Sequence, residues 1–215
     1  MAATRLGVYN GALRLLGERD LASLTENREP RRLCDSVWND GLLRYCLEHG
    51  AWKFDMRSAM IEYSPSIEPP FGFTRAFEKS SDWVKTHSVC TDEYYRSPLL
   101  EFDDNQQKLF ADWDVLYVKF VSDREDFGGD FSLWPESFNK WVQARLALEI
   151  GPRLTVSENR LVALKKNVED LLHDAQAKDA VQGPTKMFPH GAFIRARQRS
   201  RVRSNGSSSW EIGRA

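Results

Sequence analysis

The chain has 215 residues, of which 41% are hydrophobic and 12% aromatic, and its formal net charge is −1. This apolar content excludes a fully disordered chain, and the length predicts one compact domain or a domain with a sizeable insertion. The N-terminal segment and all later segments lack an apolar run long enough for a signal peptide or a membrane span, so we expect no membrane partner.

The near-neutral net charge hides a division of the chain at Gly183. Residues 183–215 carry seven Lys and Arg against one Glu, a charge of +6, so residues 1–182 carry −7. A basic segment joined to an acidic body is typical of chains that bind nucleic acid or an acidic surface. We therefore predict a domain of residues 1–182 and an extended basic C-terminal arm of residues 183–215.

The apolar spacing of amphipathic helices occurs in four segments, at about residues 4–17, 29–50, 135–151 and 156–181. In the first segment Thr4 is a suitable N-cap and Gly17 a suitable C-terminal residue. Gly151-Pro152 should end the third helix, and the sequence from Thr155 to Glu158 fits a capping box that starts the fourth.

The middle of the chain, residues 52–131, has short runs rich in β-branched and aromatic residues instead. It predicts strands at residues 83–89, 98–102, 108–111 and 115–121, with a hairpin turn at residues 103–106. Because each amphipathic helix needs a partner for its apolar face, we expect the four helices to pack together. The predicted fold class is α+β: a four-helix bundle-like scaffold with a β-strand insertion between helices 2 and 3, plus the arm.

The arm has an Arg at every second position from Arg195 to Arg203. This period of two places all five arginines on one side of an extended strand. Such a row fits either a protein partner with an acidic face or the phosphates of DNA, and a solubilising tail is the third possibility.

No motif indicates a catalytic or cofactor site. The chain contains neither GxxxxGK[ST] nor GxGxxG, its four histidines are widely spaced without HExxH, and its three cysteines form no CxxC pair. The acidic segment 123–130 lacks the alternating order of a calcium loop. We therefore predict a protein that is not an enzyme and that needs no metal, nucleotide or organic cofactor.

Three runs of residues carry a resemblance to a known family, in the order and spacing of its helices. They are Asn10-x2-Leu13-x2-Leu16-Gly17; Arg32-Leu33-Cys34-x3-Trp38-x4-Leu43-x8-Trp52-Lys53-Phe54; and Pro135-x2-Phe138-x3-Val142-x3-Leu146-Ala147 with Leu154-Thr155-x-Ser157 after it. Over residues 1 to about 182 the chain resembles the tail tubular protein A-like head-to-tail adaptors, or connectors, of bacteriophages. It departs from their pattern at residues 77–83, where Phe-Glu-Lys-Ser-Ser-Asp-Trp replaces an aromatic and proline-containing approach to the strands.

The resemblance implies a structural virion protein that forms a homo-oligomeric ring, usually a dodecamer, at the head-tail interface after assembly in the host cytoplasm. Its partners would be the phage portal protein and a downstream tail or nozzle protein, and genomic DNA would pass through its lumen. Seven Trp and an acidic body are compatible with such a ring.

On this interpretation the arm is predicted to dock on the portal. The residues expected to make that contact are Phe188, Phe193, Arg195, Arg197, Arg199, Arg201, Arg203 and Trp210. Two alternatives stay open: a DNA-binding packaging or regulatory factor that uses the basic arm, and an enzyme whose site forms only from residues distant in sequence.

Overall fold

A computed structural model describes residues 3–105, 107–154 and 158–182. The described residues belong to a compact unit, Met1–Ala180, and to the two residues that follow it. The predicted arm, with all eight of its expected contact residues, lies outside the described residues. Most of the predicted capping box, residues 155–157, lies outside them as well.

Helices form the first and last parts of the described chain. They are α1 (Arg5–Leu16), α2 (Glu29–Val37), α3 (Leu43–Glu48), α4 (Glu136–Leu154) and α5 (Glu158–Val181), with a 3-10 turn, Phe131–Leu133, before α4. The predicted ends of α1 are confirmed. The Thr4 hydroxyl accepts a hydrogen bond from the Gly7 N–H at 3.1 Å, and Gly17 has the left-handed φ of 80° that suits glycine.

The second predicted helix is interrupted by a π-helical turn, Trp38–Leu42, that joins α2 to α3. Gly41 in this turn has a φ of 99°, a conformation that residues with a Cβ rarely adopt. The indole of Trp38 at the start of the turn stacks on Phe131, with ring centroids 5.7 Å apart. The turn therefore lies where α2 meets the segment that precedes α4.

The predicted end of the third helix at Gly151-Pro152 is wrong, because α4 continues to Leu154 with Pro152 inside it. Proline removes one N–H donor and crowds the preceding turn. This cost is confined to the last turn here, and the buried Ile150 and Gly151 hold that turn against the helical core.

The middle of the chain forms two three-stranded antiparallel sheets. Its strands are β1 (Met56–Glu62), β2 (Arg75–Glu78), β3 (Trp83–Cys90), β4 (Asp103–Asp104), β5 (Lys108–Ala111) and β6 (Val115–Ser122). One sheet has the order β1-β6-β3 and the other β2-β5-β4. We call residues 56–130 the β unit.

Strands were predicted unevenly. β3, β5 and β6 lie where the sequence places them, but residues 98–102 supply only a bridge between Pro98 and Cys90. The predicted turn residues Asp103 and Asp104 are instead the strand β4, paired with β5. β1 and β2 were not predicted. In β1, Ala59 and Ile61 are only partly buried against the core of the sheets, so its apolar signal is weak.

The β unit has a core of its own between the two sheets. Phe77, Leu109, Leu116 and Val118 are buried there, and the Trp83 and Phe120 rings stack with centroids 4.0 Å apart. A separate helical core forms where α1 and α2 pack on α4. Two cores within one unit follow from the two periodicities of the sequence.

The predicted four-helix bundle-like scaffold is therefore wrong: the fold is mixed α+β with two antiparallel sheets, and it is not a helical bundle. A bundle would bury an apolar seam along the full length of every helix. Helix α5 instead buries Leu164, Val168 and Ala175, whereas Leu161 and Leu171 of the predicted seam are only partly buried. Its buried side chains join the helical core, while the β residues fill the second core.

The β unit is joined to the helices through aromatic rings around Phe138 of α4. The chain enters β1 through Trp52 and Phe54, whose ring centroids lie 5.0 and 4.9 Å from that of Phe138. It leaves toward α4 through Trp134, at 5.0 Å from Phe138. Both connections are thus held by one side chain.

We predict that Leu164→Ala lowers the free energy of unfolding by about 2 to 4 kcal/mol, because it removes a side chain that is only 8% exposed. Val162→Ala is the matched control on the same helix, since Val162 is 67% exposed. It should change stability by less than about 0.5 kcal/mol. Chemical denaturation of both variants measures the difference, and equal effects would contradict the placement of α5.

Candidate functional site

The loops that connect the strands of the β unit lie at two opposite ends of its sheets, one near the helices and one far from them. In the register of the first sheet Met56 pairs with Val121 near the helices, and Glu62 pairs with Val115 at the far end. The far end carries residues 63–74, 91–97 and 112–114, which we call the distal loops. They are bonded together, since the Tyr63 N–H donates to the Asp114 carbonyl at 3.1 Å.

Large apolar side chains of the β unit are exposed on and beside these loops. Phe71 is fully exposed, Leu100 is 87% exposed and Tyr94 69%. We call the complete group the distal apolar set: Met60, Tyr63, Phe71, Tyr94, Leu100 and Trp113. Contiguous patches of exposed apolar side chains, unlike single ones, mark protein interaction sites, because leaving them in water is unfavourable.

Phe71 is presented by a tight turn. Gly72 has a φ of 101°, and the Phe73 N–H donates to the Pro70 carbonyl at 3.3 Å. Pro70, Phe73 and Phe110 line a shallow depression beside the exposed ring. The turn thus places an apolar ring next to a recess of mixed polarity, lined also by Glu68 and Asn105, that a partner's side chain can enter.

The loop of residues 91–97 is also fixed by hydrogen bonds. Asp92 accepts hydrogen bonds from the N–H groups of Arg96 at 3.0 Å and Ser97 at 2.6 Å, which hold the pKa of its carboxyl below the ordinary range. The Tyr95 hydroxyl donates to the Val118 carbonyl at 3.0 Å. Tyr94 is therefore exposed on an ordered support.

Charge is distributed unevenly over the fold. Residues 56–130 carry 15 acidic and 8 basic side chains, a charge of −7, whereas the rest of residues 1–182 carry 15 of each sign. Several exposed carboxylates of the β unit have no ion pair within the described part of the chain, among them Glu62, Glu68, Glu101 and Asp103. The acidic excess of the body thus belongs to the β unit.

Two arginine side chains of the β unit, Arg75 and Arg96, pack on tyrosine rings at the distal end. The Arg75 guanidinium lies 4.5 Å from the ring centroid of Tyr63 and donates to the Asp114 carboxylate at 2.6 Å. The Arg96 guanidinium lies 5.4 Å from the centroid of the Tyr94 ring. A carboxylate and an aromatic face together suit the planar guanidinium.

The carboxyl with the most altered surroundings is that of Asp55, at the start of the β unit. Its side chain is fully buried and neither oxygen has a hydrogen-bond partner among the described residues. Burial first, and then the nearby Asp179, raise its pKa to about 8. Because no external substrate can reach it, we assign Asp55 no catalytic role.

Close by, Asp82 is shifted in the opposite direction. Partial burial raises its pKa, but hydrogen bonds from Ser122, Ser80 and Arg57 outweigh burial and lower it to about 2. The Ser122 hydroxyl and the Arg57 guanidinium each donate at 2.6 Å. Asp82 therefore ties β1, β6 and the start of β3 together.

The sequence did not identify the distal apolar set. Of the tryptophans, Trp52, Trp83, Trp134 and Trp141 are buried, whereas Trp113 is exposed. The Pro-Pro-Phe-Gly run ending at Gly72 was the available signal, because such a run predicts a turn with an aromatic tip. The predicted portal contacts of the arm lie outside the described residues, so they stay predictions.

Comparisons with known proteins add no family. No protein-family model matches the chain, and no curated protein matches it. The resemblance to head-to-tail adaptors therefore stays a prediction.

Among the described residues, no helix has the length and apolarity needed to cross a bilayer. Nor does any group of three or more His, Cys, Asp and Glu side chains in residues 3–105, 107–154 and 158–182 converge as a metal site would require.

We predict that Asp55 makes stability fall as pH rises from about 4 to about 8. The unfolded carboxyl ionises near its ordinary pKa of 3.8 and the folded one near 8, so in this range the unfolded state binds fewer protons. Asp55→Asn removes this dependence, so its advantage over the parent should grow by up to about 1.4 kcal/mol per pH unit. Urea denaturation from pH 4.5 to 8.5 measures it. Asp170→Asn, an exposed control, should follow the parent; parallel curves for all three proteins would refute the assignment.

We predict that Phe71→Ser leaves the free energy of unfolding within about 0.5 kcal/mol of the parent, because the ring is fully exposed. Phe77→Ser is the matched change in the core of the β unit, where the ring is fully buried. It should cost about 3 kcal/mol or more. A large loss of stability for Phe71→Ser in thermal denaturation would show that this ring is not free to bind a partner.

Proposed function

We propose that the chain is a bacteriophage head-to-tail adaptor: a structural virion protein whose copies form a ring between the portal and the tail, with DNA passing through its lumen. The observation that carries this proposal is the distal apolar set. Six large side chains are exposed on a unit that already has a well-filled core, so they are available for a protein partner. This favours an assembly role over an enzymatic one.

Neighbouring subunits of a ring would cover these exposed apolar side chains. In a ring each subunit uses one surface for the neighbour on one side and a different surface for the neighbour on the other. The neutral helical part and the acidic β unit are two such different surfaces within one chain.

The resemblance supplies the partners of the proposal. It implies a portal protein on one side of the ring and a tail or nozzle protein on the other, and hence a place at the head-tail interface of the virion. The distal apolar set is suited to such protein contacts, since firmly held loops present aromatic rings with little loss of conformational entropy on binding.

The second candidate, a DNA-binding packaging or regulatory factor, depends on residues 183–215. Their charge of +6 favours binding to phosphates. Within residues 1–182 no comparable basic excess exists, because the β unit carries −7 and the remainder is neutral. DNA binding by this chain would therefore depend on the arm alone.

The two candidates separate when the purified chain is mixed with the portal protein of its phage. We expect mass photometry to detect a complex many times the mass of one chain, and electron microscopy to show a ring coaxial with the portal. Phe71→Ser combined with Trp113→Ser should weaken assembly without unfolding the chain, whereas Val162→Ser should not. A chain that stays monomeric with saturating portal, yet binds duplex DNA through residues 183–215, would favour the DNA-binding factor instead.

A further inference from the structure

We propose that the distal end of the β unit binds residues 183–215 of a second copy of this chain, so that neighbouring subunits are joined by their C-terminal arms. The inference rests on the proposed ring and names the contact between its subunits. It replaces the portal with a neighbouring copy as the partner of the arm.

The first support is charge complementarity. Residues 183–215 carry +6 and the β unit carries −7, while the remaining residues of 1–182 are balanced. The basic segment is therefore attracted to one part of the fold, the β unit, and not to the helices.

The second support is the chemistry of the distal end. Arg75 and Arg96 each lie over a tyrosine ring there, and Arg75 also pairs with a carboxylate. Glu62 and Glu68 at this end, and Glu101 and Asp103 elsewhere on the β unit, offer further exposed carboxylates without ion pairs in the described residues. These acceptors suit the alternating arginines of residues 195–203.

The third support is that the arm contains, and the β unit exposes, large apolar side chains. The arm contains Phe188, Phe193 and Trp210, which its own composition cannot bury. The recess beside Phe71 and the exposed Trp113 ring offer apolar surface within the same acidic unit. An interface with aromatic anchors among charged pairs has the usual composition of a specific contact.

The described chain ends at the helical side of the β unit, on the opposite side from the distal loops. Lys53, just before β1, fixes the end of α5: its N–H donates to the Asp179 carboxylate at 3.1 Å, and its ammonium donates to the carbonyls of Asp179 and Ala180. The Gln176 amide donates to the His49 carbonyl at 2.9 Å. The last residues of the described chain thus lie near the proximal end of the β unit, away from the distal loops.

The arm is long enough to reach a neighbour. Its 33 residues span up to roughly 100 Å when extended, against about 25 Å for the longest strands of the β unit. A basic arm and an acidic surface on one chain are the two unlike, complementary patches that a head-to-tail contact between copies needs.

A mixing experiment with full-length chains tests the contact. The surface variant carries Glu68→Lys and Glu101→Lys, and the arm variant carries Arg199→Glu and Arg201→Glu. Each variant alone opposes like charges, so each should lose the oligomer that the parent forms. An equimolar mixture supplies one unaltered arm and one unaltered surface to each mixed pair, and it should regain complexes containing both variants. Mass photometry measures the species, and circular dichroism checks that each variant is folded.

A matched control changes the same charge elsewhere. Glu169→Lys with Asp170→Lys alters two exposed acidic residues of α5 and should assemble like the parent. High salt should dissociate the parent oligomer, because the contact is largely electrostatic.

The outcomes separate this inference from the proposed ring. If either variant alone assembles as the parent does, or if the mixture stays monomeric, arm exchange between copies is wrong while the ring proposal stands. An arm variant that forms rings but no longer binds the portal would assign the arm to the portal. If the parent forms no oligomer with or without the portal, the ring proposal itself fails and the inference with it.

Discussion

The aromatic contacts of Phe138 determine how the two parts of the body are joined. Its ring meets Trp52 and Phe54 where the chain enters the β unit, and Trp134 where the chain returns to the helices. The Trp134 indole also donates to the Gly128 carbonyl at 2.9 Å, which ties the last turn of the β unit to the same cluster. Because both connections are buried against one helix, the β unit is a fixed extension of the helical part, and its distal loops are held at a defined distance from α4.

Because this junction is rigid, the charged and apolar surfaces of the two parts are held in fixed positions on one body. The helical part is electrically balanced, the β unit is acidic and carries the distal apolar set, and the C-terminal segment is basic. A monomer gains nothing from exposing Phe71 or Trp113, and isolated acidic residues contribute little to folding stability. The same features are useful if copies of the chain bind one another, because unlike surfaces on one rigid body define a repeating direction of assembly.

The sequence predicted those elements whose local signals are strong. Thr4 and Gly17 bound α1 because capping is a local interaction, and β6 was recognised from its run of β-branched and aromatic residues. Strand β1 was missed because its polar residues hide a two-residue period, and the π turn at Gly41 has no reliable local signal. The bundle prediction failed because helical spacing shows that a face is buried but not what buries it. The distal apolar set was missed for a related reason: exposure depends on packing between strands far apart in the sequence.

A cryo-EM map of assembled phage particles that contain this chain tests the adaptor function most directly. The chain is expected as a closed ring between portal and tail, with the distal loops of each subunit in contact with protein and DNA in the central channel. A map in which the head-tail junction is built from other proteins, with this chain absent or bound elsewhere, would contradict the adaptor function.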